Sequence, residues 1–182
     1  MTSDERSVDG RNGGRLDQRA YLTHGQTGDA RQLGRDGDEE ERELGREIFL
    51  VSDEPYRKIL FDGLEYPHVF HHHLRSIVAT SHSKDLALPG ERIGFIAVHP
   101  ECEDRAELVE GLVFCNRTLG FVNAPALMQH IVRNLQGVSV DAGYYEKKRD
   151  YLCQNLGELG YEVVQPQGAF YLYPKAPIEN DV

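Results

Sequence analysis

Residues 81–94 read SHSKDLALPGERIG, and this polar stretch decides the fold because a short apolar run lies on each side of it. Both runs are rich in β-branched residues, which predicts buried strands over 76–81 and 92–98. A lysine held between two buried strands is partly shielded from water, and this shielding favours the uncharged amine that a nucleophile requires. Lys84 is therefore the first candidate catalytic residue.

The rest of the chain predicts an α/β fold with a mainly buried sheet. A further apolar run at 48–51 ends in Asp53, at the carboxyl end of a strand, where ligands bind in open α/β sheets. After Pro100 apolar residues recur three and four apart, which predicts three helices, followed by two strands. These elements are a helix with the stripe Leu108, Leu112, Cys115 and Leu119, helices near 125–137 and 142–159, and strands at 161–164 and 169–173.

Composition narrows the class of protein. The chain has 182 residues, 40% of them hydrophobic, and a net charge of −10. Nucleic acids and anionic membranes do not attract an acidic surface, so neither is expected as a partner. Three cysteines are too few for a disulfide framework, so we expect a cytoplasmic protein with Cys115 and Cys153 in its core.

Residues 1–46 differ in composition from the residues that follow. They are dense in Arg, Asp, Glu and Gly, contain no lysine and have only scattered large apolar residues. Such a segment buries too little apolar surface to offset its conformational entropy. We expect it to be mostly disordered, with a short helix over 38–46, and to be either an interaction tail or a segment without function.

Three motifs, in this order, resemble the class I and II aminotransferases, which are pyridoxal-phosphate enzymes of fold type I. The family's Asp-x-x-Tyr motif resembles Asp53-Glu54-Pro55-Tyr56. Its cofactor-lysine region resembles Ser-x-Ser-Lys at 81–84 followed by Arg-Ile-Gly at 92–94. The first strand of its small domain resembles GAFYLYP at 168–174. The likeness runs from residue 47 to residue 177, and its strength lies in the spacing of all three motifs.

The resemblance implies the fold, the domains and the activity. The fold would be part of the large domain of a fold type I transferase, a three-layer α/β/α sheet, with the start of the small domain. Residues 47–140 would form the partial large domain, and residues 141–182 the interdomain helix and the start of the small domain. The activity would be amino-group transfer between an amino acid and a 2-oxo acid, in a homodimer. Other fold type I reactions, 1-aminocyclopropane-1-carboxylate synthesis and β-elimination among them, share these motifs and stay open.

The resemblance also assigns roles in binding pyridoxal 5'-phosphate. Lys84 would form the Schiff base and carry the proton, while Asp53 would pair with the pyridine nitrogen. Tyr56 would hydrogen-bond the phenolic oxygen, and Ser81 and Arg92 would hold the phosphate, with Ser83 a weaker candidate. Each role has an alternative: Asp53 capping a turn, Tyr56 packing on its strand, and Arg92 in a surface ion pair.

Two further features bear on function. The run His71-His72-His73 suggests a metal site, but consecutive side chains point in different directions and no acid or cysteine has ligand spacing. We expect a solvated loop and no metal.

Members of the family are also much longer. Their glycine-containing phosphate loop, ring-stacking aromatic and asparagine have no match in 1–46, and their carboxylate-binding arginine would follow Val182. The sequence therefore predicts either an aminotransferase impaired by truncation or a non-catalytic fragment or subunit that another chain complements.

Overall fold

The centre of the protein is a three-stranded mixed sheet. Its structure, a computed structural model, describes residues 30–45 and 47–175. The strands lie side by side in the order β1 (Leu50–Asp53), β2 (Ser76–Ser81) and β3 (Gly94–Val98). β2 runs parallel to β1 and antiparallel to β3.

The predicted strands are confirmed, with two shifts in their bounds. The strand at 76–81 has the predicted bounds, whereas β1 and β3 each begin two residues later than predicted. At β1, pairing begins when the Leu50 amide donates to the Arg75 carbonyl at 2.9 Å. At β3, Arg92 has φ 48°, because it ends a 3-10 turn over Pro89–Glu91, so pairing starts only after it.

The strand register separates two faces of the sheet. Asp53 pairs with Ala79, and side chains alternate along a strand, so Asp53 and Ser81 project from one face. On the other face Leu50, Val78 and Val69 form a buried cluster. Val69 belongs to a 3-10 turn, Val69–His71, that covers this face. Asp53 and Ser81 therefore lie on the face away from that cluster.

The part of the chain that the structure describes contains five helices beside the sheet. They are α1 (Ala30–Leu44), α2 (His82–Asp85), α3 (Arg105–Thr118), α4 (Ala126–Arg133) and α5 (Ala142–Glu158). The three helices predicted after Pro100 are confirmed as α3, α4 and α5. Buried Met128 and Val132 of α4 pack on Ile93, which anchors the chain beside the 81–94 stretch. Within the described residues no helix is long and apolar enough to cross a membrane.

The disorder expected over 1–46 is wrong for residues 30–44, because these form α1, a helix of 15 residues rather than a short one. Asp38 contacts His73 Nδ1 at 3.2 Å, and Glu41 accepts from the Ile48 amide at 2.9 Å and contacts Arg75 at 3.3 Å. Polar contacts therefore order a segment that apolar burial could not. Residues 1–29, and with them the rest of this expectation, lie outside the described residues.

The solvated loop expected at 71–73 is wrong for His73. Its side chain is buried, and Nε2 lies 2.9 Å from the Ile48 carbonyl oxygen while Nδ1 faces Asp38. The contact with a backbone carbonyl means that Nε2 carries a hydrogen. His73 thus holds α1 against the start of β1.

Two expectations about apolar packing are also wrong. Cys115 is exposed and Cys153 is half-buried, whereas Cys102 is the buried thiol. α3 has no fully buried side chain: Leu108 and Leu112 of its apolar stripe are half-buried, whereas Cys115 and Leu119 are exposed. The strand predicted at 161–164 reduces to one bridge, Val163 with Pro174, and 169–173 forms no strand, although Gly168 just before it makes a single bridge with Leu60.

Candidate active site

Lys84 lies just beyond the carboxyl end of β2. Ser81 ends the strand with an extended backbone, and Lys84 follows within the four-residue helix α2. The His82 amide donates to the Ile93 carbonyl at 3.0 Å, so the two ends of the loop that carries the lysine are joined beside the sheet. The Lys84 side chain is half-buried, and its Nζ lies 5.9 Å from the centroid of the Tyr56 ring.

Asp53 reaches the same edge of the sheet from β1. Because β1 and β2 are parallel, both strands present their carboxyl ends on one side. The Glu54 amide continues the pairing by donating to the Ala79 carbonyl at 2.8 Å. Asp53 is exposed, and its carboxylate makes no hydrogen bond or ion pair with another described residue. An open carboxylate thus stands at the edge where Lys84 and Tyr56 lie.

Tyr56 is held as a protonated phenol. Burial raises its pKa above the ordinary value of 10.0, and a hydrogen bond to Tyr171 together with the charges of Tyr171, Asp53 and Tyr173 raises it further. A phenol whose pKa lies above 10 keeps its hydrogen at neutral pH. Tyr56 therefore has a hydrogen that it can donate beside Lys84.

The structure does not bring the Arg92 side chain into contact with the other predicted site residues. Its guanidinium is exposed and donates to the Pro89 carbonyl at 2.9 Å. Two residues on, Gly94 pairs with Ser81 so closely that an added Cβ would overlap the Thr80 carbonyl oxygen and lie 2.9 Å from the Ser81 Cα. The backbone thus places Arg92 near the end of β2, while its side chain turns back onto its own 3-10 turn.

A polar cluster around Asp85 stabilises the loop that carries Lys84, and the sequence did not predict it. His82 Nδ1 and Lys58 Nζ lie 3.2 and 3.3 Å from Asp85 Oδ2. Lys58 also donates to the carbonyls of Gln136 and Val138 at 3.1 and 3.2 Å. This ammonium therefore has three acceptors and is a structural group. The only sequence signal was the spacing of His82 and Asp85 on either side of Lys84.

An aromatic wall stands beside Tyr56 and was also missed. Tyr171 Oη lies 2.7 Å from Tyr56 Oη, and the two ring centroids are 5.5 Å apart. The ring of Phe170 meets the ring of Tyr56 edge-on, with centroids 5.5 Å apart. It also packs against the ring of Tyr145 in a tilted arrangement, with centroids 4.4 Å apart. The motif GAFYLYP held the signal, but as a predicted strand it gave no hint of contact with Tyr56.

Glu54 is a third residue that the sequence analysis did not single out. It is 2% exposed, and neither carboxylate oxygen makes a well-aligned hydrogen bond in the described parts of the chain. Burial raises its pKa, and the nearby groups Ser52, Arg57 and Tyr66 only partly offset that effect. Its neighbour Asp53 is exposed, so consecutive carboxyl groups have opposite surroundings.

The fold and the site together define the chain as part of an α/β transferase of fold type I, the fold of its structural neighbours. The sequence profile of the family named aminotransferase class I and II matches residues 42–181. The chain belongs to this family, whose members generally depend on pyridoxal phosphate.

Individual relatives agree with this assignment. The chain is 28% identical to a probable N-acetyl-LL-diaminopimelate aminotransferase of Bacillus subtilis, over 71% of this chain and 33% of that protein. It is 30% identical to aromatic-amino-acid aminotransferase 2 of Thermococcus litoralis, over 71% and 34%. The chain thus spans about a third of the length of these curated relatives.

Solved structures share the fold. An amino transferase from Eubacterium rectale matches with a TM-score of 0.82 and 35% identity, over 89% of this chain and 43% of that one. A mutant aspartate aminotransferase of Thermus thermophilus matches with a TM-score of 0.65 and 20% identity, over 85% and 41%. The second likeness concerns the fold alone.

Proposed function

We propose that the chain carries the cofactor-lysine part of a pyridoxal-phosphate aminotransferase, which transfers an amino group between an amino acid and a 2-oxo acid. The observation that carries this proposal is the meeting of Lys84, Tyr56 and the open Asp53 carboxylate at one edge of the sheet. The relatives' names describe several different amino-acid substrates, so the proposal names a class of substrate and no particular amino acid.

The residues present fit the polar groups of pyridoxal phosphate. The cofactor supplies an electron sink for substrate carbanions, and the protein supplies position and charge. The exposed Asp53 carboxylate suits a protonated pyridine nitrogen, and the phenol of Tyr56 suits the phenolic oxygen. Ser81 ends β2 with its hydroxyl available for a phosphate, and Arg92 would need to leave Pro89 to join it.

Lys84 would act as the covalent anchor and as the group that moves the proton. Its Nζ already lies against the Tyr56 ring, so the amine is held close to the donor that would orient the cofactor. The buried cluster of His82, Asp85 and Lys58 keeps the lysine loop in place. A loosely held catalytic group loses rate steeply, so this support is part of the proposal.

Covalent labelling tests the proposal. The purified chain is mixed with pyridoxal phosphate, reduced with borohydride and mapped by mass spectrometry. We expect selective labelling of Lys84, because Lys58 is tied to three acceptors and Lys148 stacks on Tyr144 with its Nζ 4.3 Å from the ring centroid. Lys84→Ala should abolish this selective label. Lys147→Ala, at an exposed helix position, is the matched control and should leave the label on Lys84 unchanged. Equal labelling of all these lysines would contradict the proposal.

The second candidate function is that of a non-catalytic chain that needs another chain to complete its site. Large apolar side chains around α3 and α4 favour it: Phe114, Leu119, Phe121 and Leu127 are 69%, 70%, 73% and 70% exposed. We propose that a second polypeptide covers them, either another copy of this chain or a different chain that completes the site. Sedimentation of the chain distinguishes the cases, because self-association that Phe121→Glu abolishes supports a homodimer. A monomer without selective Lys84 labelling supports complementation.

A further inference from the structure

Tyr171 has a contact that the proposed function does not explain. It lies 115 residues from Tyr56 in the chain, yet the two hydroxyl oxygens are 2.7 Å apart. The rings meet edge to face, with centroids 5.5 Å apart and an interplanar angle of 74°. Both the polar tip and the ring of Tyr171 therefore engage the residue that faces Lys84.

The backbone holds Tyr171 in this place. The Ala169 amide donates to the Ile59 carbonyl, and the Phe61 amide donates to the Gln167 carbonyl, both at 2.9 Å. Gly168 approaches Ile59 so closely that an added Cβ would lie 2.5 Å from the Ile59 carbonyl oxygen. Residues 167–169 are thus fixed against 59–61, three residues after Tyr56. The contact between the tyrosines joins two segments that are already in register.

The hydroxyl groups allow the contact to persist when the surroundings change. A phenol carries one hydrogen and also accepts hydrogen bonds. Tyr171 can accept from Tyr56 when Tyr56 has no other acceptor. It can donate to Tyr56 when the hydrogen of Tyr56 is directed elsewhere. In both arrangements the oxygen of Tyr56 stays at one place beside Lys84.

We propose that Tyr171 is a positioning residue for the Lys84 site, which holds the hydroxyl of Tyr56 where it can donate to a ligand at Lys84. The identity of that ligand rests on the proposed function, whereas the holding of Tyr56 rests on the contact itself. Lys84 Nζ lies 5.9 Å from the centroid of the same ring, so a shift of Tyr56 changes the surroundings of the amine. Tyr171 thereby links the segment after α5 to the lysine loop.

The first experiment uses the chain without cofactor. Tetranitromethane nitrates phenolates, and peptide mass spectrometry reports each tyrosine separately. The Tyr171 hydrogen bond helps to raise the Tyr56 pKa, so wild-type Tyr56 should react slowly, and Tyr171→Phe should speed its nitration several-fold. Tyr173→Phe is the matched control: it removes a hydroxyl two residues away that contributes the least of the named effects on Tyr56. Equal Tyr56 nitration in wild type and Tyr171→Phe would overturn the inference.

The second experiment adds pyridoxal phosphate and follows how the cofactor's absorbance spectrum depends on pH. Tyr171→Phe should shift the pH midpoint of the absorbance change in the same direction as Tyr56→Phe and by a smaller amount. Tyr173→Phe should leave this midpoint unchanged. Circular dichroism checks that each variant is folded. If wild-type Lys84 takes no label, the proposed function fails, and the nitration result still decides whether Tyr171 holds Tyr56. If Tyr171→Phe leaves both readouts unchanged while Tyr56→Phe shifts the midpoint, only the inference fails.

Discussion

Glu54 should make the protein less stable as the pH rises from acid to neutral, and Glu54→Gln should remove that loss. The side chain is 2% exposed, and neither carboxylate oxygen makes a well-aligned hydrogen bond among the described residues, although the Ser52 and Tyr66 hydroxyls interact with it and lower its pKa in part. Burial raises the pKa above the ordinary value of 4.5. The folded protein therefore holds a proton at Glu54 that the unfolded chain has already released.

The sign and size of the effect follow from this difference in proton binding. Below pH 4.5 both states are protonated at Glu54, and the group imposes no pH-dependent cost. Between 4.5 and the raised pKa the folded state binds more protons, so the free energy of unfolding falls by about 1.4 kcal/mol per pH unit. Glu54→Gln keeps a polar group at this position but cannot ionise, so its expected gain over wild type is that pH-dependent loss, about 1.4 kcal/mol for each pH unit above 4.5 until the raised pKa is reached.

Urea unfolding followed by far-ultraviolet circular dichroism measures this difference, since the chain has no tryptophan to report by fluorescence. We expect wild type and Glu54→Gln to unfold at similar urea concentrations in acid and to diverge towards neutral pH, with the variant more stable. Glu65→Gln makes the same change at an exposed position and should follow wild type. A pH-independent difference, or a variant less stable at neutral pH, would show that the carboxylate is paired and charged, and the reasoning would be wrong.

Two glycines give further tests. Gly94→Ala should destabilise the protein by about 1–3 kcal/mol in the same urea assay, because its Cβ would overlap the neighbouring strand; Gly90→Ala, with no atom within 4 Å, is its control. Gly34→Ala should release α1, because its Cβ would lie 2.5 Å from the His72 carbonyl oxygen, and limited proteolysis should then cut within 30–45. Unchanged proteolysis of Gly34→Ala would refute the docking of α1. Gly111→Ala, in open space on α3, should instead stabilise the protein by about 0.5–1 kcal/mol.

The three strands of the sheet and the later helices could be predicted because their signals are local. β2 has the predicted bounds, since a β-branched run stands between an arginine and a polar loop. α5 ends at Glu158, close to the predicted stop at Gly160. In both cases the residues that define the element also lie inside it or beside it. The spacing of Asp53, Tyr56 and Lys84 belongs to the same kind of signal.

The errors concern what lies against an element. The periodic stripe of α3 predicts a helix, but it says nothing of what covers the stripe, and Leu119 is 70% exposed. α1 was underestimated because composition counts apolar side chains, whereas this helix docks through glycine backbone and through Asp38 and Glu41. Tyr171 was missed because its partner lies 115 residues away. Such contacts require the three-dimensional arrangement.

Asp53 and Glu54 are neighbouring carboxyl groups at the end of one strand, yet their surroundings differ. Alternation puts consecutive side chains on opposite faces, so Asp53 faces water at the site while Glu54 enters the covered side of the sheet. An exposed carboxylate can pair with a cationic ring nitrogen, whereas burial disfavours the charged form of Glu54 and raises its pKa. Exchanging the two residues, Asp53→Glu with Glu54→Asp, would keep composition and charge. It would shorten the buried acid and lengthen the exposed one, so a loss of selective Lys84 labelling in that variant would show that the site depends on how far the exposed carboxylate reaches.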